Sequence, residues 1–537
     1  MISKIRDAIR EAIEKTYGEI QYPDIDISVA PEGLGDFSTT LPFRLAKILH
    51  KPPIKIGEEI IKNISSKYIS DASVAKPGYI NINVSSKIYE ELLKNLSVEK
   101  EKYFQADKKG KKVQLEFVSA NPTGPLHVGN GRGGVIGDVL GNLLKLKGYD
   151  VQKEYYVNDA GSKMNAFTDS ILHYYLKLCG IETKFPEDGY KGEYIKDIAE
   201  DIYAKFGDRY AKNTAHDREE VKELGKDMMI WKIKSSLARF GVMFDNWFYE
   251  SSLYKSGEVE KTIKIFKESG YTYEKDGALW FKSTLFGDDK DRVLVRRTGE
   301  PTYTLVDAAY HMNKWNRGFK KVIDIWGADH FGHIVPMKAL MQGMGLPDDF
   351  LDVIIYQIVH LYENGQEIMM SKHTGTFITL DELIEEVGKD AARFFFMLKS
   401  ADTHLNFDMD LAKKESMDNP VYYVQYTYAR MKNILRKAQN INYDNFNASL
   451  LNTKEEKNIL NAMLTIKEKL YGIGDTYEVH KLPFLSIDFS KKINSFYQKH
   501  KVIGSKYEKE RIILVNGIVI ALSMLMDLMG IEKKEKM

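Results

Sequence analysis

Cysteine is nearly missing: Cys179 is the single one in 537 residues. The chain therefore forms no intramolecular disulfide and offers no CxxC zinc site, which fits a reducing cytoplasm, with Cys179 expected as a buried small hydrophobe. Net charge is nearly missing too. Against 77 Lys and Arg stand 76 Asp and Glu, a formal charge of +1, which excludes a uniformly basic, histone-like nucleic-acid binder but not a basic face. There is no internal repeat and no low-complexity tract. A secretory signal is not visible, because ISKIRDAIREAIEKTY mixes charges with Ile2, Ile5, Ile9 and Ile13 at helical spacing and reads as an amphipathic surface helix. One long apolar run occurs, IILVNGIVIALSMLMDLMGI. It carries Asn516 and Asp527, so a buried bundle helix is expected and no membrane association. What is present is a globular composition, 43% hydrophobic and 28% charged, enough for a large core spread over two to four domains.

The pattern along the chain changes twice. Residues 1 to about 100 read as a small α+β unit with a helix over RLAKIL and an alternating strand YININV, and EKYFQADKKGKK reads as a charged linker. VQLEFVSA is then a buried strand, followed by a glycine-rich loop, a helix through Val135, Val139 and Leu143, and a strand DVQKEYYV. This β-α-β unit predicts a parallel sheet. A mostly helical stretch over about 165–270 interrupts the alternation. Two hairpins follow, one turning at Asp276-Gly277 and one around Thr298 to Pro301, before the strands KVIDIWGADH and DVIIYQIVHL. From about residue 390 the pattern is helical to the end. The predicted architecture is thus an α/β Rossmann-like parallel-sheet domain with an inserted helical and hairpin region, flanked by a small α+β N-terminal domain and an all-α C-terminal bundle.

Gly129-Asn130-Gly131-Arg132-Gly133-Gly134 satisfies GxGxxG, with Glu154 about 20 residues on, as in dinucleotide-binding folds. The preceding NPTGPLH contradicts that reading. In a dinucleotide loop the first glycine belongs to the tight turn leaving the strand, whereas here two prolines make a stiff connection and His127 meets the helix start. A helix N-terminus attracts phosphate, an imidazole adds a directed donor, and Gly129 allows a nucleotide ring close to the backbone. A bare His-x-Gly is equally met as a histidine packed on a loop. The second element, MMSKHTG at 369–375, decides between them: Ser371, Thr374 and Gly375 around Lys372 suit a cationic loop that stabilises a departing pyrophosphate.

These residues resemble the class I aminoacyl-tRNA synthetases and, within them, the arginyl-tRNA synthetase family, over essentially the whole chain. SANPTGPLHVGN resembles the family's "HIGH" region, with Asn130 in place of the second histidine. MMSKH resembles the "KMSKS" loop, with Met369 replacing the first lysine and Lys372 keeping the second. WGADHFGH is similar to the nucleotide-ribose element. NPVYYVQYTYARM resembles the anticodon-binding helices, and GDFSTTLPFRLAKIL with KPGYIN resembles the extra N-terminal domain of arginyl enzymes. The resemblance implies three domains: 1–100 contacting tRNA, 101–400 catalytic with an insertion over about 165–300, and 401–537 binding the anticodon.

It also implies the site. His127, Asn130 and Lys372 would be catalytic. ATP would meet His127, Gly129, Asn130, Gly327, Asp329, Met370, Ser371 and Lys372. Arginine would meet Glu116, Ser119, Asn121, Tyr303, Asp307 and His330. Arginine is a planar cation with five N–H donors, so a carboxylate fork and a flat partner suit it, and Tyr303 and Asp307 share a face if a helix begins near Thr304. Tyr79 and Asn81 at one end, with Tyr422, Tyr426 and Arg430 at the other, would meet tRNA(Arg) by stacking and phosphate pairing. Implied with these are ATP carried with Mg²⁺ as a substrate complex, no tightly bound cofactor or zinc, and a cytoplasmic monomer. Two rivals differ in what they require. A small-molecule nucleotidyltransferase needs neither flanking domain, and a non-catalytic synthetase-like RNA binder has no need of His127, Lys372 and the carboxylates. Residues 411–537 carry 21 Lys and Arg against 14 Asp and Glu, leaving residues 1–410 at −6, so the neutral total hides a basic C-terminal part.

Overall fold

The computed structural model describes residues 1–368, 378–438 and 443–537. The chain opens with helix α1 (Ile2–Tyr17), whose Ile2, Ile5, Ile9 and Ile13 are buried as their spacing predicts. Strands β1 (Ser28–Val29) and β2 (Phe37–Thr39), helices α2 (Leu41–Leu49) and α3 (Pro53–Ile61), strands β3 (Ile69–Ala75) and β4 (Tyr79–Val84) and helix α4 (Ser86–Glu99) complete a small α+β unit. Its strands pair antiparallel in the order β1-β2-β4-β3.

The central unit contains β5 (Lys112–Phe117), α5 (Val128–Leu146) and β6 (Asp150–Val157), then α6 (Ser162–Leu178), α7 (Glu193–Phe206) and α8 (Ala215–Arg239). Next come β7 (Asn246–Tyr249), α9 (Ser251–Lys255) and α10 (Glu258–Glu268), with β8 (Thr272–Lys275), β9 (Ala278–Phe281) and β10 (Arg292–Val295) as a separate antiparallel sheet. Helix α11 (Tyr303–Asn316), β11 (Lys321–Gly327), α12 (Ile334–Gly343) and β12 (Leu351–Tyr356) return to the main sheet. That sheet runs β12-β11-β5-β6-β7 and is parallel throughout. A small sheet of β13 (Val359–Glu363), β14 (Gln366–Ile368) and β15 (Leu405–Asp408) surrounds the helices α13 (Leu380–Val387) and α14 (Lys389–Phe396). The end is helical: α15 (Met409–Lys413), α16 (Pro420–Ala438), α17 (Lys454–Thr476), α18 (Lys481–Lys499) and α19 (Glu508–Met529).

The structure corrects the sequence reading at six places. The 165–270 stretch is mostly helical but does not wholly interrupt the strand alternation, because β7 forms the outer strand of the main sheet against β6. The helical tail contains β15, which pairs parallel with β13. DVIIYQIVHL divides into β12 and β13, which belong to different sheets. The hairpin around Thr298 to Pro301 keeps its first arm, β10, but its second arm is one bridge at Pro301 before α11 begins at Tyr303. EKYFQADKKGKK is not a loose linker: Tyr103 and Phe104 are buried in a 3₁₀ turn. Cys179 is only half-buried.

One continuous apolar core runs from α1 through the main sheet to α19, and a second lies under β11 and β12. Helix α19 is the one described helix long and apolar enough to cross a membrane, and 89% of its apolar window is packed inside the protein. Polar ties join the two ends of the chain. Arg6 donates twice to Glu468 (3.1 and 3.0 Å), and Asn461 accepts from Tyr89 Oη at 2.6 Å and donates to Asp36 at 3.1 Å.

Candidate active site

The chain leaves β5 toward β6 and β7 and later returns to β11 on the opposite side of β5. Where the direction of winding reverses, a crevice opens outside the carboxyl ends of the strands, the usual ligand position of open α/β sheets. Two loops named from the sequence leave those ends: residues 118–127 after β5, and Ala328–His333 after β11.

Beyond β5 the backbone takes left-handed geometry at Val118 (φ 69°) and Ser119 (φ 38°), a strained conformation for a β-branched residue. It turns Ser119 inward, where Oγ donates to Glu116 Oε1 (3.1 Å) and accepts the Tyr156 N–H (3.2 Å). His127 then caps α5. Its Nδ1 accepts the Asn130 N–H at 3.4 Å while Asn130 Oδ1 accepts the His127 N–H at 3.0 Å, a reciprocal capping box. Because Nδ1 accepts, the neutral ring carries its proton on Nε2. Burial lowers the His127 pKa, with Asp329 opposing the shift, which keeps the ring neutral and places the β11 loop next to the α5 start. Asn130 is buried, so its main visible task is to hold His127.

The glycines have a different purpose from the one expected. A Cβ on Gly129 would meet the His127 ring at 3.0 Å, so the absence of a side chain there leaves room for the imidazole. At Gly131, Gly133 and Gly137 a Cβ would lie 2.6 Å from Leu380, 2.7 Å from Tyr356 and 2.2 Å from Phe117. These glycines let α5 pack closely against α13 through Gly131 and against the sheet through Gly133 and Gly137. Glu154, the acidic residue of the apparent fingerprint, is fully buried and receives two hydrogen bonds from Arg317 (2.6 and 2.9 Å) and one from Tyr310 (2.6 Å).

The arginine residues gather around α11. Thr302 caps this helix, so Tyr303 and Asp307 stand one turn apart as the spacing implied. Tyr303 is 58% exposed at the rim and its hydroxyl faces Gly161. Asp307 reaches solvent on one side, yet burial pushes its carboxyl up to about 7, with His311 opposing and Glu116 and Glu250 adding to the rise. Glu116 is buried, and burial raises its pKa against the pull of Lys314, whose Nζ lies 2.7 Å from Oε2. Glu250 went unnoticed in the sequence. It follows β7, is buried, accepts from Tyr156 Oη at 3.0 Å and is held above the ordinary carboxyl range by burial. A strand of four residues inside a helical stretch offered no periodic signal to find it.

Other named residues lie further out. Asn121 is partly buried in the loop after β5. Gly327 closes β11, where a Cβ would meet Asp329 Oδ1 at 2.7 Å, and Asp329 pairs with the exposed His330 at 3.4 Å. Met370, Ser371 and Lys372 lie outside the described residues. The chain beyond them is fixed at the site, since Thr379 bridges to His127 and the Leu380 N–H donates to Leu126 at 2.8 Å. Tyr79 is exposed and packs edge-on against Phe43 (5.0 Å). Asn81 corrects its reading: it is 5% exposed, inside β4 between Ser38 and Ser73, and offers no open face. On α16, Tyr422 and Tyr426 stack in parallel (6.1 Å, 11°). Arg430 lies between the Tyr426 and Tyr497 rings (4.5 and 4.4 Å) and donates to Asn494 at 2.8 Å. Tyr428 is buried core.

Comparison with known proteins agrees with this geometry. The family model described as the tRNA synthetases class I (R) catalytic domain matches residues 92–408. Models of the arginyl tRNA synthetase N-terminal domain and the DALR anticodon binding domain match residues 3–84 and 424–537. The chain is thus of the class I aminoacyl-tRNA synthetase type. Among the relatives, the arginine–tRNA ligase of Caldanaerobacter subterraneus subsp. tengcongensis is 41% identical over 100% of both chains. That of Listeria monocytogenes is 40% identical over 99% of this chain and 98% of the relative. The arginyl-tRNA synthetase structure from Thermus thermophilus shares the fold with a TM-score of 0.78 at 20% identity, over 99% of each chain. Within its class, the chain belongs to the arginyl-tRNA synthetase family.

Proposed function

We propose that this chain is an arginine–tRNA ligase working through two in-line displacements. The arginine carboxylate attacks the ATP α-phosphorus and releases pyrophosphate, and the terminal ribose of tRNA(Arg) then attacks the arginyl-adenylate. The observation that carries the reading is the site at the switch point, where Glu116 on β5, Asp307 on α11 and Glu250 after β7 converge. A cation with several N–H donors is the ligand that such carboxylates select. Tyr303 stands at the rim, Ser119 and Asn121 line the route toward the nucleotide, and His330 stands with Asp329 beyond it.

On the nucleotide side, His127 Nε2, the Asn130 Nδ2 amide, Gly327 and Asp329 meet ATP, with Gly129 seating the imidazole. Lys372, preceded by Met370 and Ser371, reaches the β- and γ-phosphates as charge develops on the leaving pyrophosphate. Mg²⁺ accompanies ATP as part of the substrate. Residues 1–100, 101–400 and 401–537 act as tRNA-contacting, catalytic and anticodon-binding parts of a cytoplasmic monomer. Tyr79, Tyr422, Tyr426 and Arg430 are the RNA contacts this arrangement favours, and Asn81 acts from within the sheet as support for Tyr79.

Pyrophosphate exchange with each amino acid in turn, with and without total tRNA, tests the reading. Arginine alone should respond, and exchange with another amino acid or with none refutes it. Lys372→Ala should slow exchange by about 10²-fold, the scale of a lost transition-state donor, while equilibrium arginine binding stays within about twofold.

A further inference from the structure

Beneath the arginine site, Glu116 and Asp307 continue into a buried chain of polar and charged side chains. Lys314 is completely buried, with Nζ 2.7 Å from Glu116 Oε2, 3.0 Å from Asp324 Oδ1 and 4.2 Å from the Tyr310 ring centre. Asp324 is also completely buried, and its other oxygen lies 2.9 Å from His311 Nε2. His311 Nδ1 is 2.8 Å from the Asp307 carbonyl oxygen. Asp324 and Glu116 are register partners on adjacent strands β11 and β5, while Asp307, Tyr310, His311 and Lys314 occupy one face of α11 at spacings of three and four. The chain therefore runs from Glu116 through Lys314, Asp324 and His311 to Asp307.

Stability alone is a poor reason for this arrangement. A buried ion pair commonly costs as much in desolvation as it returns, and well-packed apolar residues of similar volume do as well or better. A set of buried, fully partnered charges does, however, fix orientation strictly, since each member loses its partners if any one rotates.

We infer that Lys314, Asp324 and His311 are positioning residues for amino-acid recognition, fixing the Glu116 carboxylate and the α11 backbone that carries Asp307 in the arrangement that accepts a planar guanidinium and rejects a single ammonium. The inference rests on the arginine-ligase reading above. Lys314 holds one Glu116 oxygen and Ser119 the other, so the carboxylate plane cannot turn to follow a shorter cation. His311 ties the first turn of α11, which carries Asp307, to the same strand pair.

The test uses the full chain with total tRNA in pyrophosphate exchange. Three variants are compared with the unaltered chain: Asp324→Asn, which is isosteric; Lys314→Met with Asp324→Asn, which removes both charges together; and His311→Gln. The double variant should raise the arginine KM by about tenfold or more, the loss expected when a charged contact is no longer aligned. The ATP KM should move by less than about twofold, and exchange with lysine relative to arginine should rise. The two single variants should shift the arginine KM in the same direction by less. An unchanged arginine KM in a folded double variant overturns the inference. So do arginine and ATP KM values that rise together, or failure of all three variants to fold, each of which assigns the chain to stability alone. Absence of arginine-dependent exchange in the unaltered protein would instead remove the ligase reading, which separates the two failures.

Discussion

Burial makes a carboxyl group ionise late and neighbouring acids delay it further, and for Asp307 burial, then Glu116 and Glu250 against the pull of His311, bring it to about 7. Arginine needs it ionised. Arginine binding should therefore tighten as pH rises through about 7 and should release a proton below it. In the arginine-free protein the sign for stability is opposite. The unfolded chain ionises this group near its ordinary value of about 3.9, so the folded state holds the extra proton from there to about 7 and loses stability as pH rises across that interval. Calorimetry of arginine binding in two buffers of different ionisation enthalpy reads the proton directly, and Asp307→Asn should abolish it along with measurable affinity for arginine. A heat of binding independent of buffer contradicts the placement. At this scale the sequence was informative through resemblance, which named Glu116 and Asp307. It had no means of naming Glu250 or the buried Lys314, because both acquire meaning only from strands and helices distant in the chain.

The element on which the site depends is α5. Its start is held by the His127 and Asn130 pair, and Asn130→Ala removes the side-chain acceptor for the His127 N–H while leaving the backbone N–H that meets the His127 ring, so the half of the cap that fixes the His127 backbone is lost. The expected loss is about 1 kcal/mol of stability, the ordinary worth of a cap, with a fall in exchange rate larger than that loss explains. Thermal melting read beside exchange checks it; a stability loss with normal exchange would make Asn130 a cap and nothing more. The middle of the same helix depends on Gly137, where a methyl group would stand 2.2 Å from the Phe117 ring carbons. Gly137→Ala should destabilise by about 1–3 kcal/mol despite the better helix propensity of alanine, because a rigid aromatic ring blocks the space. Denaturant unfolding measures it. The glycine pattern was plain in the sequence, but its purpose was not, since a phosphate loop and a close helix–sheet contact both call for glycine at the same spacing.

At the scale of the whole molecule, Arg393 joins parts that the sequence pattern separates. It is completely buried on α14 and donates to the Met529 carbonyl at the end of α19 (2.8 Å), to the Phe240 and Gly241 carbonyls after α8 (3.2 Å each), and to Asp138 on α5. Arg393→Ala leaves Asp138 beside only Lys153 and three carbonyls unpaired, and should cost about 3–5 kcal/mol. Melting as one cooperative step at a lower temperature is the expected result. At the far end, the basic face of residues 411–537 should make tRNA affinity fall steeply with salt. Arg430→Ala, which empties the Tyr426–Tyr497 sandwich, should weaken binding and flatten that dependence by about one unit of slope. Filter binding across a salt series decides, and an unchanged slope removes Arg430 from the phosphate contacts.

By itself the sequence determined what local chemistry and spacing dictate. The alternation of apolar positions set α1, β4, β5 and α5, the prolines before His127 excluded a dinucleotide turn, and the charge count separated an acidic body from a basic end. These are properties of neighbours in the chain. Tertiary structure alone decided the rest. It made β7 and β15 strands by supplying edges for them to pair with, turned Asn81 inward, gave the loop glycines to packing, and brought Glu250, Lys314 and Asp324 to the floor of a site they do not announce. The physical reason is the same in each case: burial and pairing with a distant partner set the conformation and charge of these residues, and no periodicity in the sequence records which distant partner that is.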